Sequence, residues 1–223
     1  MKAKESLEDN PLSYEEIAPF MHLYKGGFDG QAVIDGLEGD GAEWSFSATG
    51  GSGERRKFSL TRDSRSLSLD TYVEHPQASY EEKSDGPHRV DLDDYVNENS
   101  EGSSTSGQEA SFDLMFHLER AIWHYRLHYD LHLKTGQGWG VIKYGHGGHY
   151  LLHIDHGGVD ARQVSILAYL NDVEKGGETV FPYMKTTIKP AEGNIVVFPS
   201  SYPYAHLAAP AVDPKYVVVS WFV

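Results

Sequence analysis

Histidines crowd one stretch of the chain: His146, His149, His153 and His156 lie in or beside YGHGGHYLLHID, residues 144–155, and Asp155 stands two places after His153. In a β-strand, residues i and i+2 point to the same side. His153 and Asp155 can therefore hold one ion together while Ile154 packs behind them. A third donor must come from another strand, and His206 in SYPYAHLAAP follows the apolar run NIVVFP, where neighbouring strands can converge. Two imidazoles and one carboxylate on one face of a metal leave positions open for other ligands, the donor set of non-haem Fe(II) oxygenases. An H-x-D triplet also arises by chance, so the spacing alone leaves the other imidazoles in play. A second set, His124, His128 and His132, recurs every four residues. That spacing can chelate a metal on a helix, but no carboxylate joins it at matching spacing, and ordinary helix histidines are the simpler expectation.

The rest of the chain must position these residues. It has 223 residues with 39% hydrophobic content, enough for one substantial core, and a single domain is expected over 1–223. The net charge of −14 disfavours nucleic acid and anionic membranes as partners and favours neutral or basic ones. There is no cysteine, which removes disulfides, thiolate metal sites and cysteine nucleophiles together. A metal must sit on nitrogen and oxygen. No apolar run of signal-peptide or membrane-span length is present, so a cytoplasmic location is expected.

Residues 1–135 predict helices and strands. Ile17 to Tyr24 resembles a strand, and Asp29 can cap a short helix reaching Leu37. Trp44, Phe46 and Ala48 alternate with polar residues, the pattern of a strand with one buried face. From Pro76 to Ala110 the chain is polar and irregular, and the Gly/Ser-rich part around 84–107 reads as a flexible loop or as a lid over a site. Ser106 and Glu109 have capping-box spacing, and apolar residues at 115, 118, 122, 125, 129 and 133 share one helical face, so a long helix should cover a sheet. Residues 136–223 then break into short apolar runs: GVIKYG, YLLHID, QVSILAYLND, ETVFPYM, NIVVFPS and KYVVVSWFV. Such runs, punctuated by Gly, Pro and Asp, predict a β-sandwich or small barrel.

The order of these features resembles the 2-oxoglutarate- and Fe(II)-dependent oxygenases, in particular their prolyl 4-hydroxylase-like branch. The resemblance runs from Tyr144 through His153 and Asp155, Arg162 with RQVSILAYLND, GGETVFP, AEGNIVVF, His206 with Pro210, and Lys215-Tyr216 to Trp221. The first 110 residues carry much less of it. It implies an α+β fold with a double-stranded β-helix (jelly-roll) core, flanked by N-terminal helices and additional strands. It further implies that His153, Asp155 and His206 are the catalytic iron ligands and that His146, His149 and His156 are bystanders, with His149 or His156 open to substrate contact. Asp155 itself points to hydroxylation, since related halogenases lack the carboxylate. By the same resemblance, Lys215 pairs with the distal carboxylate of 2-oxoglutarate, and Tyr144 and Tyr169 hydrogen-bond this cosubstrate. Tyr150, Arg162 and Trp221 match positions near the peptide substrate.

The implied activity is a dioxygenase that hydroxylates peptidyl proline and yields succinate and CO2, with Fe(II), 2-oxoglutarate, O2 and ascorbate as its requirements. The expected partner is a proline-containing peptide, held in a groove formed by the β-core mouth, the HGGVDAR loop and the Gly/Ser-rich segment. Two other readings share these features: an oxygenase acting on another side chain or a free small molecule, and a cupin-like metal-binding protein. Lys215 argues against the last, which has no need of a cation placed for a dicarboxylate. Gly176 and Gly177 after YLND suit a turn into the next strand. Oligomeric state is left open.

Overall fold

Continuous apolar runs at the C-terminal end become strands because both of their faces are covered. The computed structural model describes residues 12–39, 44–47, 62–69, 82–83, 86–87, 106–133, 136–157 and 161–223. The strands are β1 (Tyr14–Ala18), β2 (Met21–Lys25), β3 (Ser45–Phe46), β4 (Arg62–Asp63), β5 (Arg65–Ser68), β6 (Glu82–Lys83), β7 (Gly86–Pro87) and β8 (Gly140–Tyr144). They continue with β9 (His149–His153), β10 (Val164–Tyr169), β11 (Thr179–Phe181), β12 (Thr186–Ile188), β13 (Asn194–Pro199), β14 (His206–Ala208) and β15 (Lys215–Phe222). Two helices, α1 (Gly30–Gly39) and α2 (Ser106–His128), complete the described elements apart from a short 3-10 turn at Tyr202–Tyr204.

An eight-stranded sheet, in the order β1-β2-β13-β10-β15-β8-β5-β3, faces a five-stranded sheet, β12-β11-β14-β9-β4. The two sheets form the jelly-roll sandwich, with α1 and α2 on the outer face of the larger one. Alternation along the central strands shows how one sequence serves both layers. Val164, Ile166 and Ala168 of β10 pack with the helices, as do Tyr216, Val218 and Phe222 of β15. Leu167 and Tyr169, with Val217, turn into the layer between the sheets. Each of the six expected C-terminal runs contains a strand, while β12 and β14 come in addition, from TTI and HLA segments too short to carry a pattern.

The helices are positioned by caps. Asp29 Oδ1 accepts the Ala32 N–H at 2.9 Å, and Glu192 Oε1 accepts those of Gly30 and Gln31, so three of the four free N–H groups of α1 are satisfied. Helix α2 buries Leu114, Leu118, Ala121 and Tyr125 against the sheet. It ends at His128, one turn before the apolar pattern does, because Asp130 adopts a left-handed φ of 51° and Leu131 N–H bonds back to Arg126 C=O at 2.9 Å. That closure is a Schellman motif, and Leu133 is buried beyond it.

Three local expectations are corrected. Ile17–Tyr24 is a hairpin and not one strand: Pro19 and Phe20 form its turn, with Phe20 at φ 58° and its N–H held by Glu16. The Trp44–Phe46 segment pairs over only two residues, and its face is buried only in part: Trp44 packs against the core, Phe46 is half exposed beneath the Arg65 guanidinium, and Ala48 lies outside the described residues. Ile154 does not pack behind His153 and Asp155 but is exposed, because β9 has already ended. The proposed lid at 84–107 lies outside the described residues, save Gly86–Pro87 and the start of α2. Among the described residues no helix is long and apolar enough to cross a membrane.

Of the histidines expected on one helix, His132 lies beyond the end of α2, while His124 and His128 enter an aromatic, hydrogen-bonded network around fully buried His22. Its Nε2 lies 2.8 Å from the Tyr129 hydroxyl, its Nδ1 3.0 Å from that of Tyr24, and Tyr24 in turn meets His124 Nδ1 at 3.0 Å. Tyr129 donates to Glu16, so it accepts from His22 Nε2–H, which leaves Nδ1 to accept from Tyr24 and Tyr24 to accept from His124. Each proton then has one place, for a neutral His22. Burial, with His128 beside it, pushes His22 down to about 4 from 6.5. The unfolded chain therefore takes up this proton first, so the network's contribution is complete above pH 6.5 and is lost as the pH falls towards 4. Urea unfolding should show about 2 kcal/mol less stability at pH 5 than at pH 7.5 from this group. A His22→Gln variant should flatten the dependence.

Candidate metal and cosubstrate site

The smaller sheet brings the candidate donors together. β14 pairs antiparallel with β9 so that His206 stands opposite His153, with their ring centroids 4.3 Å apart. Asp155, just past the end of β9, places Oδ1 3.6 Å from His153 Nε2 and Oδ2 3.9 Å from His206 Nε2. One donor atom from each residue lies within 4.8 Å of the other two. These separations are too long for direct hydrogen bonds and suit three donors around a common ion.

Each imidazole has its other nitrogen engaged. His153 Nδ1 meets Leu151 C=O at 2.9 Å, and His206 Nδ1 meets Tyr204 C=O at 3.1 Å. A carbonyl can only accept, so both rings carry the Nδ1 proton and present an Nε2 lone pair to the site. Burial pushes His206 down, against the pull of Asp155, and keeps it neutral. Burial alone would raise the Asp155 carboxyl, but His206, His153 and the Ser165 hydroxyl outweigh it and hold it well below the usual carboxylate range. The donor set is thus two imidazoles with Nε2 turned to the site and one carboxylate, which fits Fe(II).

Packing fixes the rings. Tyr150 stacks on His153 at 3.6 Å between centroids, and Phe181 and Phe198 flank His206 at 5.1 and 5.2 Å. Of the other histidines, His146 bonds Val212 C=O, His149 bonds Gly147 C=O and His156 bonds Arg162 C=O. None of the three joins the donor cluster.

Lys215 enters from the larger sheet, opposite Tyr144 across β8 and β15. Its side chain is 2% exposed. Nζ donates to Gly177 C=O at 2.6 Å and lies 5.2 and 5.4 Å from the Tyr144 and Tyr169 ring centres. Among the described residues this is the ammonium's one hydrogen bond, so a buried cation keeps donor capacity for a ligand carboxylate. Burial pushes Lys215 down to about 7, with Glu178 opposing. Its charge is near enough to depress His206 as well. Tyr144 is pushed up to about 12 by burial and stays a donor. Tyr169 already gives its proton to Thr179 Oγ1 at 2.8 Å.

Gly176 and Gly177 form the expected turn, at φ 71° and 73°, and a Cβ on Gly176 would run into the Pro210 carbonyl oxygen. The turn also delivers the carbonyl that holds Lys215, a role their identity as glycines does not announce. At the mouth, the Arg162 guanidinium lies 3.8 Å from the Trp221 ring centre and its Nε donates to Gln137 Oε1.

Reasoning from sequence missed Arg62, whose strand β4 pairs with β9 and sets Arg62 opposite Tyr150. Its guanidinium sits 4.7 Å from the Tyr150 ring centre and acts on the Tyr144 hydroxyl. No spacing links residue 62 to residues 144 and 150, so only the pairing of strands could reveal it.

Residues 139–223 match the family model described as the 2OG-Fe(II) oxygenase superfamily. Prolyl 4-hydroxylase subunit alpha-1 of Gallus gallus is 34% identical over 110 residues, a match covering 41% of this chain and 21% of that protein. The chain therefore spans about a fifth of this curated relative. The oxygenase fold extends further than the sequence match: a prolyl hydroxylase of Trichoplax adhaerens, solved in complex with a hypoxia inducible factor oxygen degradation domain peptide fragment, superposes with a TM-score of 0.60 at 18% identity. That superposition covers 97% of this chain and 84% of the other. The viral collagen prolyl hydroxylase of Paramecium Bursaria Chlorella virus-1, solved as a 2OG complex, gives a TM-score of 0.57 at 15% identity over 91% of this chain and 95% of that one.

The donor assignment has a direct test in Co(II), which reports its ligands by visible absorption. Titration should show one tight site that is lost in His153→Ala, Asp155→Ala and His206→Ala with far-UV circular dichroism unchanged. His146→Ala and His149→Ala should bind as the wild type does. Loss of the site in either of these two would mean that the wrong imidazoles are assigned.

Proposed function

We propose that the protein is an Fe(II)- and 2-oxoglutarate-dependent dioxygenase that hydroxylates a prolyl residue in a peptide or protein. The reading is carried by one juxtaposition: a His153–Asp155–His206 donor set within electrostatic reach of a buried, incompletely bonded Lys215. A simple metal-binding β-sandwich gains nothing from such a cation, whereas a dicarboxylate cosubstrate needs one. When bound, iron and 2-oxoglutarate supply the oxidising power: one oxygen atom of O2 goes into succinate, released with CO2, and the other into a C–H bond of the substrate.

The chain's own residues bind and orient. His153, Asp155 and His206 hold the metal. Lys215 and the Tyr144 hydroxyl take the distal carboxylate of 2-oxoglutarate, and the Tyr169–Thr179 pair shapes the floor beside it. Phe181 and Phe198 exclude water from the His206 side. Tyr150, Arg162 and Trp221 line the substrate side, where half-buried aromatic and guanidinium surfaces suit an extended peptide. Ascorbate serves as the reductant that restores idle iron.

Incubating the enzyme with proline-containing peptides, Fe(II), 2-oxoglutarate, ascorbate and O2 should add the mass of one oxygen atom to proline. An added oxygen on another residue, or turnover of 2-oxoglutarate with small molecules only, would retain the oxygenase and replace its substrate. The role of Lys215 is separable from iron. Lys215→Ala should weaken 2-oxoglutarate binding on the order of 30-fold to 1000-fold, measured under nitrogen with metal loaded, and leave metal affinity unchanged. Because only the ammonium form pairs with a carboxylate, wild-type affinity for 2-oxoglutarate should fall as the pH rises above about 7, approaching about tenfold per unit. Lys215→Ala should lack this dependence.

A further inference from the structure

The three donors differ in what fixes them. His153 and His206 are strand residues, and each is oriented by a carbonyl two positions earlier in its own chain segment. Asp155 has neither support. The β9 ladder stops at His153, Ile154 is exposed, and Asp155 sits in a bend.

The larger sheet supplies what the bend lacks. Ser165 Oγ donates to Asp155 Oδ2 at 2.7 Å and lies 2.8 Å from Ser200 Oγ. A serine hydroxyl carries one proton, which Ser165 gives to the carboxylate, so Ser200 must be the donor to Ser165. Both serines are almost fully buried, at 2% and 1% exposure. Ser165 is on the central strand β10, flanked in the ladder by Phe198 of β13 and Trp221 of β15, so its backbone is held from both sides. Ser200, one residue past β13, also accepts the N–H of His156 and gives its own N–H to Gln163 C=O, each at 2.9 Å. Ser200 thereby ties the chain just after Asp155 and the chain just before Ser165 to one point.

We propose that Ser165 and Ser200 are positioning residues that fix the Asp155 carboxylate for the metal, Ser165 by occupying Oδ2 so that Oδ1 is left to ligate, and Ser200 by orienting the Ser165 hydroxyl. This rests on the reading of His153, Asp155 and His206 as ligands. Without the hydroxyl, a carboxylate at the end of a frayed strand rotates among several orientations, and binding must then select one of them.

The test compares Co(II) affinity, the cobalt absorption spectrum and thermal stability in the wild type, Ser165→Ala, Ser165→Thr, Ser200→Ala and His206→Ala. Ser165→Ala should weaken Co(II) binding by about 10-fold to 100-fold and alter the spectrum, as loss of an outer partner does. Ser165→Thr keeps the hydroxyl and should restore both, and Ser200→Ala should fall between Ser165→Ala and the wild type. Should Ser165→Ala fail to fold, Ser200→Ala decides: a changed affinity and spectrum at unchanged melting temperature supports the pair, and none overturns it. Folded Ser165→Ala with wild-type affinity and spectrum overturns the proposal while the ligand reading stands. If His206→Ala binds Co(II) as the wild type does, the ligand reading itself falls, and the proposal with it.

Discussion

The antiparallel register that sets His206 opposite His153 is the constraint on which the rest of the site depends. Side chains alternate along a strand, so a slip of one residue between β9 and β14 would turn His206 to the other face and leave the pair H-I-D without its third donor. That register is held on both sides of the pair. β11 pairs with β14 beyond it, Val180 opposite Leu207, and β4 pairs with β9 through Arg62 and Tyr150. The apolar rings Phe181 and Phe198 then flank the His206 imidazole, whose Nδ1 is tied to the Tyr204 carbonyl.

The larger sheet does different work. Its central strands are covered on both faces, by the helices outside and by the second sheet inside, and this is what makes burial of Lys215 possible. An exposed lysine would be fully hydrated and would hold a dicarboxylate weakly. Burial lowers its proton affinity and leaves it one carbonyl partner, Gly177, at a turn whose left-handed backbone requires glycine. The strain of keeping an ammonium in the core is thus concentrated where a carboxylate ligand would relieve it. The same sheet holds Ser165 against Asp155, so one layer carries both the buried ammonium and the hydroxyl that bonds the carboxylate.

What was legible in the sequence follows from the range of each interaction. The strands β10, β13 and β15 announced themselves because burial on two faces writes continuous apolar runs, and Asp29 announced α1 because a cap acts over three residues. His153 and Asp155 were visible by spacing, and His206 needed the family order. The hairpin at Pro19–Phe20 was hidden because the run IAPFMHLY stays apolar through the turn, and Glu16 on the Phe20 N–H, with Tyr125 and Tyr204 bonding the Phe20 and Pro19 carbonyls from far along the chain, fixes where it turns. The exposed side of Phe46 was hidden for the opposite reason: alternation is the same whether a face meets a core or a single arginine.

Arg62, Thr179, Ser165 and Ser200 share a further property. Each is a common residue type in an unremarkable setting, and each acts through a partner from 10 to 88 positions away, the longest being Arg62 to Tyr150 and the shortest Ser165 to Asp155 and Tyr169 to Thr179. The metal donors can be read locally because ligation demands particular residue types, whereas the groups that orient them need only a hydroxyl or a cation in the right place, which many sequences can provide. Conversely, the His124–His128 spacing, which on a helix could chelate, is absorbed by Tyr24, Tyr129 and His22. A ligating residue type is thus neither necessary for a role at the site nor sufficient for one. What decides is where an unclaimed nitrogen points: in His22 both nitrogens are claimed by other groups, whereas His153 and His206 turn Nε2 towards Asp155 and each other.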